Sequence, residues 1–219
     1  MPYKTDMFFS DAAQDAMTPS DPVGSYLAEG ERVRRLFFQE AAPLLRRAAL
    51  GIALGLAAGG KLLLCGSGGG SLLARQMLAL LTGRFLLDRP ALPAAVLLPE
   101  DAASSLEARS AFVSCPPARQ IEALGAAGDG LLIFSPPGHD AALAAAAEAA
   151  RQRKMCVVAL AGEHGEALAA YSDVLVCAPP APPPLVQELH MAAGHLVCRL
   201  IDHYLFENPA VLRAAAATA

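Results

Sequence analysis

The sequence predicts an α/β fold, a doubly wound (flavodoxin/Rossmann-like) parallel sheet of five strands flanked by helices, with an N-terminal helical arm. Three observations predict it. Five short apolar runs recur between residues 61 and 177, each followed by a stretch of helical character. The runs are continuously apolar rather than alternating, the pattern of strands buried on both faces by helices. The first run also leads directly into a glycine cluster, 61-KLLLCGSGGGSLLARQ-76, where an apolar strand turns into a helix.

Taken in order, residues 1–21 are expected to form a flexible arm. Ser20-Asp21-Pro22 reads as a helix start, with a capping side chain and proline just inside it. From Val23 to about Ala58, apolar residues such as Tyr26, Leu27, Val33, Leu36, Phe37, Leu44, Leu45 and Ala48 recur at helical spacing. Pro43 is expected to divide this segment or kink it, and Gly59-Gly60 to end it. Lys61–Cys65 is the first strand and Ser71–Leu81 its helix, closed by 82-TGRF-85 with Gly83 as the cap. Ala94–Leu98 is the second strand, followed by a polar, helical stretch over 101–112. Gly130–Phe134 precedes the alanine-rich helix Ala141–Arg153, and Met155–Leu160 precedes a short helix around Glu163–Ala170. Val174–Cys177 is the fifth strand, from which 178-APPAPPP-184 leads into a long helix, Leu185–Phe206. One domain is expected over 22–207, with the helical arm at 22–58, the α/β core at 61–207 and a frayed tail at 208–219.

Composition narrows the function classes. The chain has 219 residues, of which 54% are hydrophobic and 17% charged, as in a well-packed globule. A net charge of −4 leaves no basic footprint, so direct nucleic-acid binding is not expected. The five cysteines lie far apart and form no CxxC pair, which favours reduced thiols in a core and gives no cysteine-based zinc site. The N-terminus lacks the pattern of a signal peptide, and no run is long and apolar enough to span a membrane. A cytoplasmic protein is expected.

In a doubly wound sheet, ligands bind at the carboxyl ends of the strands. The loop 66-GSGGGS-71 is the first candidate: backbone N–H groups of Gly68, Gly69 and Gly70 approach an anion closely, and Ser67 and Ser71 add hydroxyls. It lacks both the GxGxxG spacing of a dinucleotide loop and the lysine of a P-loop. The second, 134-FSPPGHDA-141, offers Ser135 and Gly138. Its Pro136 and Pro137 carry no N–H, however, and Asp140 suits a helix cap, so a rigid turn is favoured there. The third is the last helix, where Gln187, Glu188 and His195 lie on neighbouring stripes and His195 is a plausible general base. Arg84 is a further anion-binding candidate, with solvent exposure the commoner fate of such a residue.

The succession LLLCGSGGGS, LTGRF, DRPALPAAVL, GAAGDGLLIFS, MCVVALAGEHG, SDVLVCAP and VQELHMAAGHLVCRLID resembles the SIS (sugar isomerase) domain family. Within it, the chain is most similar to the phosphoheptose isomerases and the related DnaA initiator-associating protein, over about Tyr26 to Phe206. The resemblance implies a phosphosugar ligand and a homo-oligomer, dimer or tetramer. It also implies a GNGGS-type loop after the first strand and an STSGNS-type loop after a later one. The isomerases add a His and a Glu on the helix after the first loop, and a Gln and a His on the last helix, for metal binding or proton transfer between C1 and C2. Here the loop Asn falls on Ser67 and its Ser on Gly70, with Ser71 as a neighbouring substitute. The second loop falls on Ser135, Pro136, Pro137, Gly138, His139 and Asp140. The helix His becomes Gln76 and the Glu becomes Leu80, whereas Gln187, His195 and Arg84 are retained.

Leu80 cannot transfer a proton, and Gln187 with His195 alone makes a weak metal site. The sequence reading is therefore a phosphosugar-binding SIS protein with impaired or no isomerase activity and a regulatory or protein-partner-binding role. No cofactor is expected, zinc being implied only for intact relatives. The alternative is an active sedoheptulose-7-phosphate isomerase making D-glycero-D-manno-heptose 7-phosphate, with His195 as base and Glu188 or Glu107 as replacement acid. A third reading is a structural subunit that pairs with an intact paralogue.

Overall fold

The computed structural model describes residues 21–97 and 116–217. The stretch expected to be helical over 101–112, with Glu107, lies outside the described residues, as do residues 1–20. A long helix, α1 (Pro22–Ala57), leads into β1 (Leu62–Gly66), α2 (Gly69–Thr82) and β2 (Ala94–Val96). Then come α3 (Pro116–Leu124), β3 (Gly130–Ser135), α4 (Ala141–Gln152), β4 (Cys156–Ala161), the single turn α5 (Glu166–Ala169) and β5 (Val174–Cys177). The chain closes with α6 (Pro183–Asp202), a π-helical turn over His203–Glu207 and α7 (Pro209–Ala216).

The five strands form one parallel sheet in the order β2-β1-β3-β4-β5. The winding direction reverses between β1 and β3, so the crevice outside their carboxyl ends is the place where this topology receives ligands. Alternation along each strand sorts the core into two layers. Leu62, Leu64, Leu132, Phe134, Val158 and Leu160 face α1, α2 and α6. Leu63, Cys65, Leu131, Ile133, Val157 and Ala159 face α3 and α4.

Asp21 caps α1 by accepting from the N–H groups of Val23 (2.7 Å) and Gly24 (3.2 Å), with Pro22 at the first turn as the sequence implies. The helix then continues for 36 residues with Pro43 inside it, so of the two expected outcomes the division into two helices does not occur. Val33, Phe37, Ala41, Leu45, Ala48 and Ile52 are buried on one continuous stripe that spans the proline. Packing on both sides outweighs the one backbone bond that proline removes.

The tail is a second correction. Asn208-Pro209 restarts a helix, and Leu212 is buried among residues of the core, so 209–216 is ordered secondary structure rather than a frayed end. The expected helix to Phe206 instead passes into a π-helical turn after Asp202. There Glu207 Oε2 accepts from Arg199 (2.8 Å) and lies 2.9 Å from His203 Nδ1. Cys65 and Cys198 are buried, as expected, but Cys177 is exposed. Among the described residues no helix is long and apolar enough to cross a membrane.

One polar contact inside the core had no sequence signal. Arg89, in the loop before β2, places its Nε 2.8 Å from Asp202 Oδ1 at the end of α6, with both side chains essentially inaccessible. The same guanidinium donates to the carbonyls of Leu80 (2.9 Å), Leu81 (2.6 Å) and Gly83 (3.1 Å), capping the end of α2. Removing one partner strands a buried charge, which typically costs about 3–5 kcal/mol. Asp202→Ala is therefore expected to lower stability to urea by about that amount. The double variant Arg89→Met/Asp202→Leu, read in the same titration, recovers part of the loss. Equal losses in the single and double variants would contradict this account.

Candidate functional site

β1 ends at Gly66 beside Phe134 of β3. The turn that follows is tight, with Gly66 and Gly70 against the Phe134 carbonyl. Ser67 N–H donates to Phe134 O (3.3 Å), and Gly68 takes the positive φ of +51° that glycine tolerates. A side-chain carbon on Gly70 would fall on the Phe134 carbonyl and within 2.9 Å of Pro136 Cδ; one on Gly69 would press into the Gln187 amide at 2.8 Å from its Cδ. The loop thus joins the end of β3 to α6 as well as β1 to α2. Ser71, next to the altered position, donates its Oγ–H to Gly68 O at 2.8 Å. The hydroxyls of Ser67 and Ser135 are buried without a hydrogen-bond partner. Buried hydroxyls are rarely left so.

The loop after β3 is a rigid turn with a cap, as its prolines and Asp140 suggest. Gly138 adopts φ +86° and donates to Ser135 O at 2.9 Å, while Asp140 Oδ1 accepts from Ala142 (2.9 Å) and Leu143 (3.1 Å). The α4 N-terminus is therefore already occupied by a carboxylate.

Gln187, Glu188 and His195 on α6 line one cavity of about 670 Å³, together with Leu73 of α2 and Arg34 of α1. A second cavity of about 210 Å³ adjoins it, sharing Arg34 and Glu188 and adding Tyr26. Tyr26 Oη donates to Glu188 Oε1 at 2.5 Å, and that hydrogen bond to a carboxylate pushes the phenol pKa up. His195 is half-buried, its ring 5.5 Å from that of Phe85. Sequence reasoning missed Arg34 and Tyr26. Arg34 sits in a basic run, 32-RVRR-35, and Tyr26 in an apolar stripe; neither pattern reports a contact with a helix about 160 residues away.

Other candidates lie elsewhere. Arg84 is at the far end of α2 from the glycine loop, 72% exposed and 3.4 Å from Asp88, and does not line the cavity. Gln76 is exposed, and Leu80 packs part-buried against the core. A zinc ion of the kind implied for intact relatives does not fit this donor set. Only Gln187 and His195 remain of the implied side chains, and among the described residues no group of three or more His, Cys, Asp or Glu is placed to hold a metal.

His190, five residues before His195 on α6, is fully buried, with Nε2 3.1 Å from Ala161 O. Burial depresses its pKa to about 4, the backbone hydrogen bond opposing this only in part. Because the unfolded chain takes up this proton first, stability is present above about pH 6.5 and is lost as pH falls toward 4. The loss is expected to total about 3 kcal/mol, and His190→Gln should flatten it in urea titrations between pH 7 and 4. An unchanged slope would remove His190 as its origin. At the glycine loop, Gly70→Ser restores the implied family residue, yet it is expected to cost about 1–3 kcal/mol in the same titration because Phe134 O and Pro136 leave no room. A stabilised variant would contradict this packing.

Comparison with known proteins agrees with this architecture. The model of the SIS domain matches residues 25–162. A phosphoheptose isomerase from Desulfovibrio desulfuricans is 44% identical over 192 residues, 88% of this chain and 91% of that protein. One from Thermodesulfovibrio yellowstonii is 34% identical, over 89% of this chain and 96% of its own length. Among solved structures, a phosphoheptose isomerase from Francisella tularensis superposes with a TM-score of 0.76 at 29% identity, covering 85% of this chain and all of that one. That from Neisseria gonorrhoeae gives 0.74 at 30%, covering 84% and 99%. With its five-stranded parallel sheet, its altered strand-end loops and these matches along most of its length, the chain belongs to the SIS-domain family, among the members similar to phosphoheptose isomerases.

Proposed function

We propose that the chain is a phosphosugar isomerase that interconverts sedoheptulose 7-phosphate and D-glycero-D-manno-heptose 7-phosphate. The observation that carries this reading is the convergence of His195, Glu188 and Gln187 on one cavity of sugar size, beside the glycine loop. The relatives that match along most of the chain are phosphoheptose isomerases. The expectation of an impaired site finds no support in them, and they favour the alternative of an active enzyme.

Isomerisation moves one proton between C1 and C2 and another between the two oxygens. In this reading His195 exchanges the carbon-bound proton. Glu188, held by Tyr26 through Oε1, keeps Oε2 for the hydroxyl proton. Gln187, braced against Gly69, orients the sugar, and the glycine loop at the start of α2 lies beside the cavity for the phosphate end. Glu188 and His195 lie two turns apart on α6, and both side chains line the one cavity in which C1 and C2 would sit. Exposed Leu72 and Leu36, on α2 and α1, are in keeping with a homo-oligomer.

A second reading, a phosphosugar-binding protein without turnover and with a regulatory or protein partner, draws on Leu80. A hydrocarbon side chain there supplies no proton.

Turnover of sedoheptulose 7-phosphate followed by NMR separates the two. The isomerase reading expects turnover that falls by about 10²–10⁴ in His195→Ala and by a similar order in Glu188→Gln, both still showing a thermal shift with the sugar. A thermal shift without turnover in the wild-type protein would establish the second reading, and absence of both would end each of them.

A further inference from the structure

The cavity holds one permanent positive charge that no step above uses. Arg34 lies on the helical arm, outside the α/β core, yet it lines both adjoining cavities together with Glu188. Arg32, two residues away, is neutralised by Glu29 at 2.7 Å, whereas Arg34 forms no ion pair with any described residue. Its guanidinium carbon lies 5.2 Å from the Phe38 ring centroid, so an aromatic ring supports the group while its N–H edges remain available. The nearby carboxylate of Glu188 is directed to Tyr26. An unneutralised, ring-supported guanidinium in a cavity with a base and a proton carrier is suited to an anion that exists only while the reaction proceeds.

We infer that Arg34 stabilises the enediolate formed in this cavity, and the inference rests on the isomerase reading above. The ketose loses a proton from C1 to the His195 imidazole. The C–H electron pair becomes the C1=C2 bond, and the carbonyl pair moves onto O2, which carries the new negative charge. Return of the proton to C2, with transfer of the O1 proton to O2 through Glu188, completes the aldose and consumes no other reactant. Charge appears on O2 in the intermediate and the transition states that flank it, so a permanent cation there lowers the barrier more than it tightens substrate binding. Because arginine remains protonated throughout, it acts as an electrostatic partner rather than a proton donor.

The test separates ground-state from intermediate binding. Arg34→Met and Arg34→Lys are compared with Arg32→Met, a control outside both cavities. Arg34→Met is expected to lower kcat by about 10²–10³ with little change in KM, and Arg34→Lys to restore part of the rate. Calorimetry then uses two probes, a phosphorylated aldonohydroxamate that mimics the enediolate and a phosphorylated heptitol that mimics the ground state. Wild-type protein is expected to prefer the hydroxamate by at least tenfold, a preference that Arg34→Met removes while heptitol binding persists. Equal losses for both probes, or an unchanged kcat in Arg34→Met, would overturn the assignment while leaving isomerase activity standing. Wild-type protein that binds the heptitol without turnover would instead overturn the isomerase reading and this inference with it; wild-type protein that binds neither probe would do the same.

Discussion

The buried pairing of Arg89 with Asp202 sets the geometry from which the candidate site follows. It joins the end of α2 to the end of α6, and the same guanidinium collects the last carbonyls of α2. With those ends tied, the two helices run side by side, and Gly194 leaves room for the Met77 thioether of α2 to lie against the α6 backbone. At their other ends, Gly69 meets the Gln187 amide. The cavity opens along this shared flank, with Arg34 brought to it by α1. A charge pair in the core is a weak source of net stability, but it is specific, since only one relative position of the helices satisfies it.

At the carboxyl edge of the sheet the constraint is backbone contact. Gly66 and Gly70 lie so near the Phe134 carbonyl that neither accepts a side chain, and Pro136 closes the remaining space beside Gly70. The loss of the implied loop serine therefore accompanies a compact loop rather than an empty one. The start of α2 and the buried, unpartnered hydroxyls of Ser67 and Ser135 lie at this edge. Toward α6 and the helical arm, Tyr26, Arg34, Glu188 and His195 line two adjoining cavities.

Much of this was legible from local patterns. The five strands, the cap at Asp21, the turn at Gly59, the cap at Asp140 and the last helix all follow from signals within a few residues of each element. The errors share a cause. Pro43 is a helix breaker locally, but a buried stripe on both sides of it overrides that preference. The alanine-rich end resembles a frayed tail, but Leu212 reaches the core and holds it. In each case a tertiary partner decided the outcome.

The sequence by itself determined the class of fold, the order of its elements, the family resemblance, and the His195, Gln187 and Glu188 set on one helix. Hydrophobic periodicity and glycine spacing act over a few residues, and such signals survive in one dimension. Only the tertiary structure decided that Arg34 and Tyr26 reach that helix, that Arg84 does not line the cavity, and that Arg89 is the core's cation. Charged side chains look alike in a sequence; their roles are set by which distant carboxylate, ring or carbonyl the fold places within about 3–5 Å of them.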